Sequence, residues 1–223
     1  MGPPPAAAHD PLYWFTARYY STSVRYHMAP SFPANSPFPF HDRLPQAAAA
    51  WPYNNGSDRP LTYFEDNRAL TGWTWTQPCD NPWAGQGMNS SSVTHAGLHF
   101  GGWDGPGSDL AVTSRCYYGD NRDRIFAAMI LFDDAETWWP YAEAPLNTYL
   151  DFLSVTVHEL GHGYGGWAAA AHGHFGSPFS EPPTDVLCTG SLPHTMCPSF
   201  GYGLAHWRST EAHDRDTIAA KYP

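Results

Sequence analysis

The sequence predicts an α/β fold of the α+β type, and three observations carry that expectation. Up to residue 132 the chain offers short apolar and β-branched segments separated by Gly, Pro, Asn and Asp. One strongly periodic helical segment follows, between Asn147 and Gly165. After it comes a stretch rich in Gly, Pro, Ser and His that can hold little regular structure.

Taken in chain order, residues 1–22 pair a Pro-rich start with Tyr13-Trp14-Phe15 and are expected to pack as an N-terminal arm. Val24 to Met28 reads as a strand. Asp42 is placed to cap a helix running to about Trp51, because Leu44, Ala47, Ala48 and Trp51 fall on one face, with Pro45 tolerated in the first turn. Leu61 to Phe64, Val93 to Phe100, Leu110 to Tyr118 and Ile125 to Phe132 are further strands. Asn147 is the expected N-cap of the main helix, on which Leu150, Leu153, Val157, Leu160 and Tyr164 recur at helical spacing before Gly165-Gly166 ends the run. A last helix is expected from about Thr210 to Tyr222.

Composition narrows the function. The 223 residues carry 11 Lys+Arg against 21 Asp+Glu, a formal charge of -10, which offers no basic face for nucleic acid or anionic lipid. No apolar run approaches the roughly 20 residues needed to span a bilayer, and no signal peptide is legible after Met1. Neither a nucleic-acid nor a membrane partner is expected. With 22 Pro, 20 Gly, 10 Trp, 13 Tyr and 12 Phe, the chain packs aromatic bodies beneath irregular backbone. Its four cysteines are most economically paired as Cys79 with Cys116 and Cys188 with Cys197, against the alternative of four reduced core thiols. Disulfides imply an oxidising compartment and hence a secreted, extracellular protein.

His158, Glu159 and His162 stand on the main helix. Imidazoles four residues apart project from one face about one turn from each other and can share a Zn²⁺. Glu159, next to His158, can reach a water held by that ion without ligating it. Zinc lowers such a water's pKa towards about 7, and Glu159 would accept its proton as it attacks a carbonyl. The competing expectation is two histidines facing solvent. A catalytic zinc takes three protein ligands and keeps one position open, so a third must come from elsewhere in the chain.

At this point the sequence resembles the metzincin metalloproteases, whose motif is HExxHxxGxxH/D. His158, Glu159, His162 and Gly165 match; the last position is Ala168, and the third ligand is expected after an inserted turn at His174, with His172 as the alternative. His194-Thr195-Met196-Cys197-Pro198 resembles the Met-turn, which would place Met196 beneath the histidines, with the Cys188–Cys197 bridge stapling its loop. Where some members carry a helper Tyr two residues after that Met, this chain has Pro198. Asp104-Gly105-Pro106-Gly107-Ser108-Asp109-Leu110-Ala111 and Phe132-Asp133-Asp134-Ala135-Glu136-Thr137-Trp138 resemble two matrixin segments. They imply a structural Ca²⁺ site of Asp104, Gly105, Gly107, Asp109, Asp133 and Glu136, hard oxygen donors suited to that ion; a solvated acidic loop is the alternative. The matrixin structural zinc is not expected, because Val112 and Thr113 occupy its stretch.

The resemblance implies a mixed, mainly parallel twisted sheet with a backing helix, an active-site helix, and an irregular C-terminal lobe with the Met-turn and final helix. Residues 23–223 would form one catalytic domain, with an upper lobe 23–165 and a lower lobe 166–223. It implies a monomeric zinc endopeptidase acting on a polypeptide substrate. Leu110 and Ala111 would lie on an edge strand that an extended peptide can join, and Pro198 to Tyr202 would floor the specificity pocket. Two other classes compete: a catalytically degenerate zinc-binding or protein-binding module, if neither His172 nor His174 reaches the metal, and a carbohydrate-binding module, if several Trp align on a flat exposed face.

Overall fold

A computed structural model describes residues 18–19, 24–28, 40–51, 62–64, 94–100, 110–117, 124–163, 195 and 201–210. Its elements run β1 (Arg18–Tyr19), β2 (Val24–Met28), α1 (Phe40–Ala49), β3 (Thr62–Phe64), β4 (Thr94–Phe100), β5 (Ala111–Tyr117), β6 (Arg124–Phe132), β7 (Trp138–Trp139), β8 (Leu150–Asp151) and α2 (Phe152–Gly163), with a 3₁₀ turn at His206–Arg208. The fold is mixed α/β. All four strands expected after Val24–Met28, and that strand itself, form within a residue or so of the expected bounds. β1 falls inside the segment read as an arm and joins the sheet instead of only packing on it.

The main sheet has six strands in the order β1-β6-β4-β2-β3, with β5 also paired to β6. β1, β2, β3, β4 and β6 pair parallel; β5 pairs antiparallel to β6 in a register that sets Ala111 opposite Phe132 and Thr113 opposite Ile130. Chain connectivity explains the difference. α1 lies between β2 and β3, whose parallel pairing needs a crossover, whereas the short link from β5 to β6 allows a hairpin-like return.

α1 buries the face expected of it: Leu44, Ala47, Ala48 and Trp51 are all buried. Its start differs, since the helix begins at Phe40 and Asp42 lies inside the first turn instead of capping it. Pro45 therefore sits one turn further in, where its ring is exposed. The Trp51 indole N–H donates to the Val157 carbonyl at 2.7 Å, which fixes α1 against α2.

α2 also begins later than expected. Asn147 is not its cap: Leu150 and Asp151 first pair as β8 with β7, and Asp151 then caps the helix, its Oδ2 accepting from Ser154 N at 3.0 Å and Ser154 Oγ at 2.6 Å. Asn147 instead lies against Gly203, whose N–H donates to the Tyr149 carbonyl at 2.9 Å. Phe152, the first residue of α2, is an aromatic hub. Its ring meets Phe40 at 4.9 Å edge-on, Phe132 at 4.9 Å and Trp138 at 6.0 Å, and thereby ties α1, β6 and β7 to the start of α2.

Every residue of α2 is buried, so the helix is enclosed and has no solvent face. Two of its polar residues are satisfied locally: Thr156 Oγ1 donates to the Phe152 carbonyl at 2.6 Å, and Ser154 bonds the cap. The stretch expected as a last helix lies, beyond Thr210, outside the described residues. Cys116 is in a disulfide, and no described cysteine is free. Its partner and the Cys79, Cys188 and Cys197 assignments lie outside the described residues.

Candidate metal centre

His158, Glu159 and His162 come together on α2, one potential ligand atom from each lying within 4.8 Å of the others. All three are buried, at 5–7% exposure, which removes the alternative of histidines on a solvent-facing helix. The two imidazole centroids are 4.9 Å apart with their planes nearly perpendicular, at 82°.

The orientation of His158 is set by residues far along the chain. Its Nδ1 lies 2.6 Å from the Thr195 carbonyl. A carbonyl oxygen only accepts, so Nδ1 carries a proton, and in the neutral ring the lone pair that a metal would take lies on Nε2. Trp207, itself 2% exposed, stacks on the same imidazole at 4.8 Å and 16°, fixing the ring plane. Thr195 is held in turn by its own hydroxyl, which donates to the Ser209 carbonyl at 2.8 Å.

Glu159 has its two oxygens in different surroundings. Oε2 accepts from Thr113 Oγ1 on β5 at 2.6 Å, and Oε1 lies 4.0 Å from His158 Nε2. The carboxylate is thus attached to the sheet through one oxygen while the other lies on the histidine side.

These residues fit a zinc ion in part. Two imidazoles on one helical turn, one with Nδ1 bonded to a carbonyl, could supply two of the protein donors that a tetrahedral zinc takes. The expected third ligands His174 and His172 lie outside the described residues, as do Met196, Pro198 and the calcium candidates Asp104, Gly105, Gly107 and Asp109. Thr195, directly before Met196, does lie against His158.

Asp133 and Glu136 are both buried at the end of β6. Asp133 Oδ1 accepts from Ala135 N at 2.9 Å, and Glu136 Oε2 accepts from the Tyr202 hydroxyl at 2.7 Å. Tyr202, expected in the specificity pocket, is thereby brought to the other candidate site. That hydrogen bond, then burial and the carboxylate's charge, raise the Tyr202 pKa above its usual value. Leu110 lies just before β5, its carbonyl accepting from Asp133 N at 3.0 Å. Ala111 opens β5, which among the described strands pairs only with β6.

The described tryptophans do not form a flat exposed platform. Trp51, Trp138 and Trp207 are buried, and Trp139 packs edge-on against Tyr141 and Tyr149 in the wall of a hollow of about 420 Å³. No described helix is long and apolar enough to cross a membrane.

Sequence reasoning found the histidines and the glutamate but missed Thr113, Thr195 and Trp207. The one available signal was the position of Thr195 beside Met196 in the segment read as a Met-turn. The chain matches no protein-family model and no curated protein.

Proposed function

We propose that the chain is a secreted zinc-dependent endopeptidase of metzincin type. The single observation that carries this is the His158 Nδ1 bond to the Thr195 carbonyl, which in the neutral imidazole puts the acceptor lone pair on Nε2, beside a buried carboxylate. His158 and His162 would hold the ion, with His174, or else His172, as third ligand. Bound there, zinc supplies a Lewis acid that brings a water's pKa towards about 7 and polarises the scissile carbonyl.

Glu159 is the general base. It takes the proton of the attacking water and returns it to the departing amine, which balances the hydrolysis without further groups. An extended polypeptide would align along β5 near Ala111 by main-chain hydrogen bonds, with Pro198 near its side chains. The Cys116 disulfide suits an oxidising, extracellular setting. A structural Ca²⁺ would draw on Asp133 and Glu136 together with Asp104, Gly105, Gly107 and Asp109.

The test is metal analysis joined to a casein digestion, with and without chelator, on the wild type and on Glu159→Gln. The wild type should hold one zinc and lose digestion to chelator; the variant should keep the zinc and lose digestion, because an amide cannot accept the water's proton. Digestion that survives chelation, or a Glu159→Gln variant with near-native turnover, would refute the assignment.

A further inference from the structure

Thr113 lies in the middle of β5, opposite Ile130 of β6, and its hydroxyl meets α2. Two acceptors on the same residue lie within reach of it: Glu159 Oε2 at 2.6 Å and the Glu159 backbone carbonyl at 3.1 Å. A hydroxyl has one hydrogen to give. The shorter contact is in the range of a charge-assisted O–H···O⁻ bond, so the carboxylate takes it. The other carboxylate oxygen, Oε1, is the one on the side of His158 Nε2, 4.0 Å away.

We propose that Thr113 is the positioning residue of the general base: it holds Oε2 of Glu159 so that Oε1 is presented to the attacking water. The proposal rests on the endopeptidase reading of this site. A glutamate side chain has three rotatable bonds, and a carboxylate that swings freely spends only part of its time aimed at the reacting atoms. One strong hydrogen bond from a sheet strand removes that freedom in advance, which is where orientation contributes to rate. Thr113 is two residues from Ala111, on the strand that would receive the peptide. One rigid element therefore sets both the line of the substrate backbone and the aim of the base.

Thr113→Val keeps the shape and strand preference of the side chain and removes the hydroxyl; Thr113→Ser keeps the hydroxyl and removes the methyl. Both are loaded with zinc and assayed with a fluorogenic peptide, and the metal-free Thr113→Val protein is crystallised. The Val variant should lose about ten- to a hundredfold in kcat with KM nearly unchanged, while zinc stoichiometry stays at the wild-type value. In its crystal structure the Glu159 carboxylate should have left its place beside residue 113 or split between positions, with His158 and His162 unmoved. The Ser variant should recover most of the lost kcat. A Val variant with wild-type kcat, a Ser variant as impaired as Val, or a Glu159 carboxylate that stays put overturns the proposal while leaving the endopeptidase reading intact. Zinc-loaded wild type that cleaves no peptide overturns both.

Discussion

Removing the guanidinium of Arg208 should destabilise the chain by about 3 kcal/mol or more. Asp151 has no exposed surface, and Arg208 meets both its oxygens, Nε with Oδ2 at 2.8 Å and Nη2 with Oδ1 at 2.5 Å. The same side chain donates to the carbonyls of Tyr141, Ala142 and Glu143. Arg208→Met retains much of the apolar stem and removes the charge. The carbonyls of Ala142 and Glu143 can turn to water, since both residues are exposed, so their loss counts for little. The cost lies in Asp151, left as a buried charge without its cation, for which breaking one side of a buried pair costs about 3 to 5 kcal/mol. Ser154 still donates twice to Oδ2, which favours the lower end of that range. For a chain of this size about 3 kcal/mol corresponds to a fall in Tm of about 6 to 12 °C. Urea unfolding of the wild type, Arg208→Met, Asp151→Asn and the double variant reads the coupling directly, and the double variant should be less destabilised than the sum of the two singles. A loss below about 1 kcal/mol for Arg208→Met, the scale of an exposed ion pair, would refute the reasoning.

The proposed third zinc ligand is tested by His174→Ala and His172→Ala: the first should lose zinc on dialysis at fixed pH and the second should keep it, and the reverse result would move the assignment by two residues. Gly203 has φ of 75° and a Cβ there would lie 2.9 Å from Asn147 Oδ1 and 3.0 Å from Asn147 Cα, so Gly203→Ala should cost at least about 1 to 2 kcal/mol in denaturant; an unchanged midpoint would show that the turn can relax. Because the folded pKa of Tyr202 is raised, its proton is held more tightly in the folded than the unfolded chain. The associated stability is present in full below the ordinary tyrosine value of 10.0 and is lost as pH rises from there through the folded pKa. Phenolate absorbance should accordingly lose a late-titrating tyrosine in Tyr202→Phe, and an identical alkaline titration in that variant would contradict the Glu136 hydrogen bond.

What the sequence made legible was local. Strands declared themselves through runs such as Ile125 to Phe132, whose buried members among the described residues are Ile125, Ala128, Ile130, Leu131 and Phe132. The candidate metal-binding pair was legible because a spacing of four is a property of the helix alone. Misplaced helix starts have a physical reason as well. Asn147 looked like a cap because Leu150 completes the helical apolar pattern, yet Leu150 is spent on a two-residue strand pairing with Trp138, and Asp151 takes the cap. The competing expectation put the two histidines of α2 in solvent, yet the whole helix is enclosed. Ser154 and Thr156 are buried with them, since each finds its partner within four residues and brings no unmet polar group into the core. Contacts such as Trp51 with Val157, 106 residues apart, or Arg208 with Asp151, 57 apart, leave no periodic trace.

The candidate site depends on that second, non-local kind of contact. A helix carrying His158 and His162 four residues apart is, by itself, a helix with two solvated imidazoles. Three remote residues change this: Thr195 accepts the Nδ1 proton of His158, Trp207 lies flat on its ring, and Trp51 grips the carbonyl of Val157 immediately before it. A fourth, Thr113, takes one oxygen of Glu159. Trp207 and Thr195 are further joined at the 3₁₀ turn, because Thr195 donates to the Ser209 carbonyl and Arg208 ties the same turn to the cap of α2. Tautomer, ring plane and carboxylate aim are therefore fixed by segments that reach α2 only once the chain has folded around it. Metal affinity and global stability should consequently fall together when the 3₁₀ turn is loosened, whereas Glu159→Gln and Thr113→Val should lower turnover with the zinc retained.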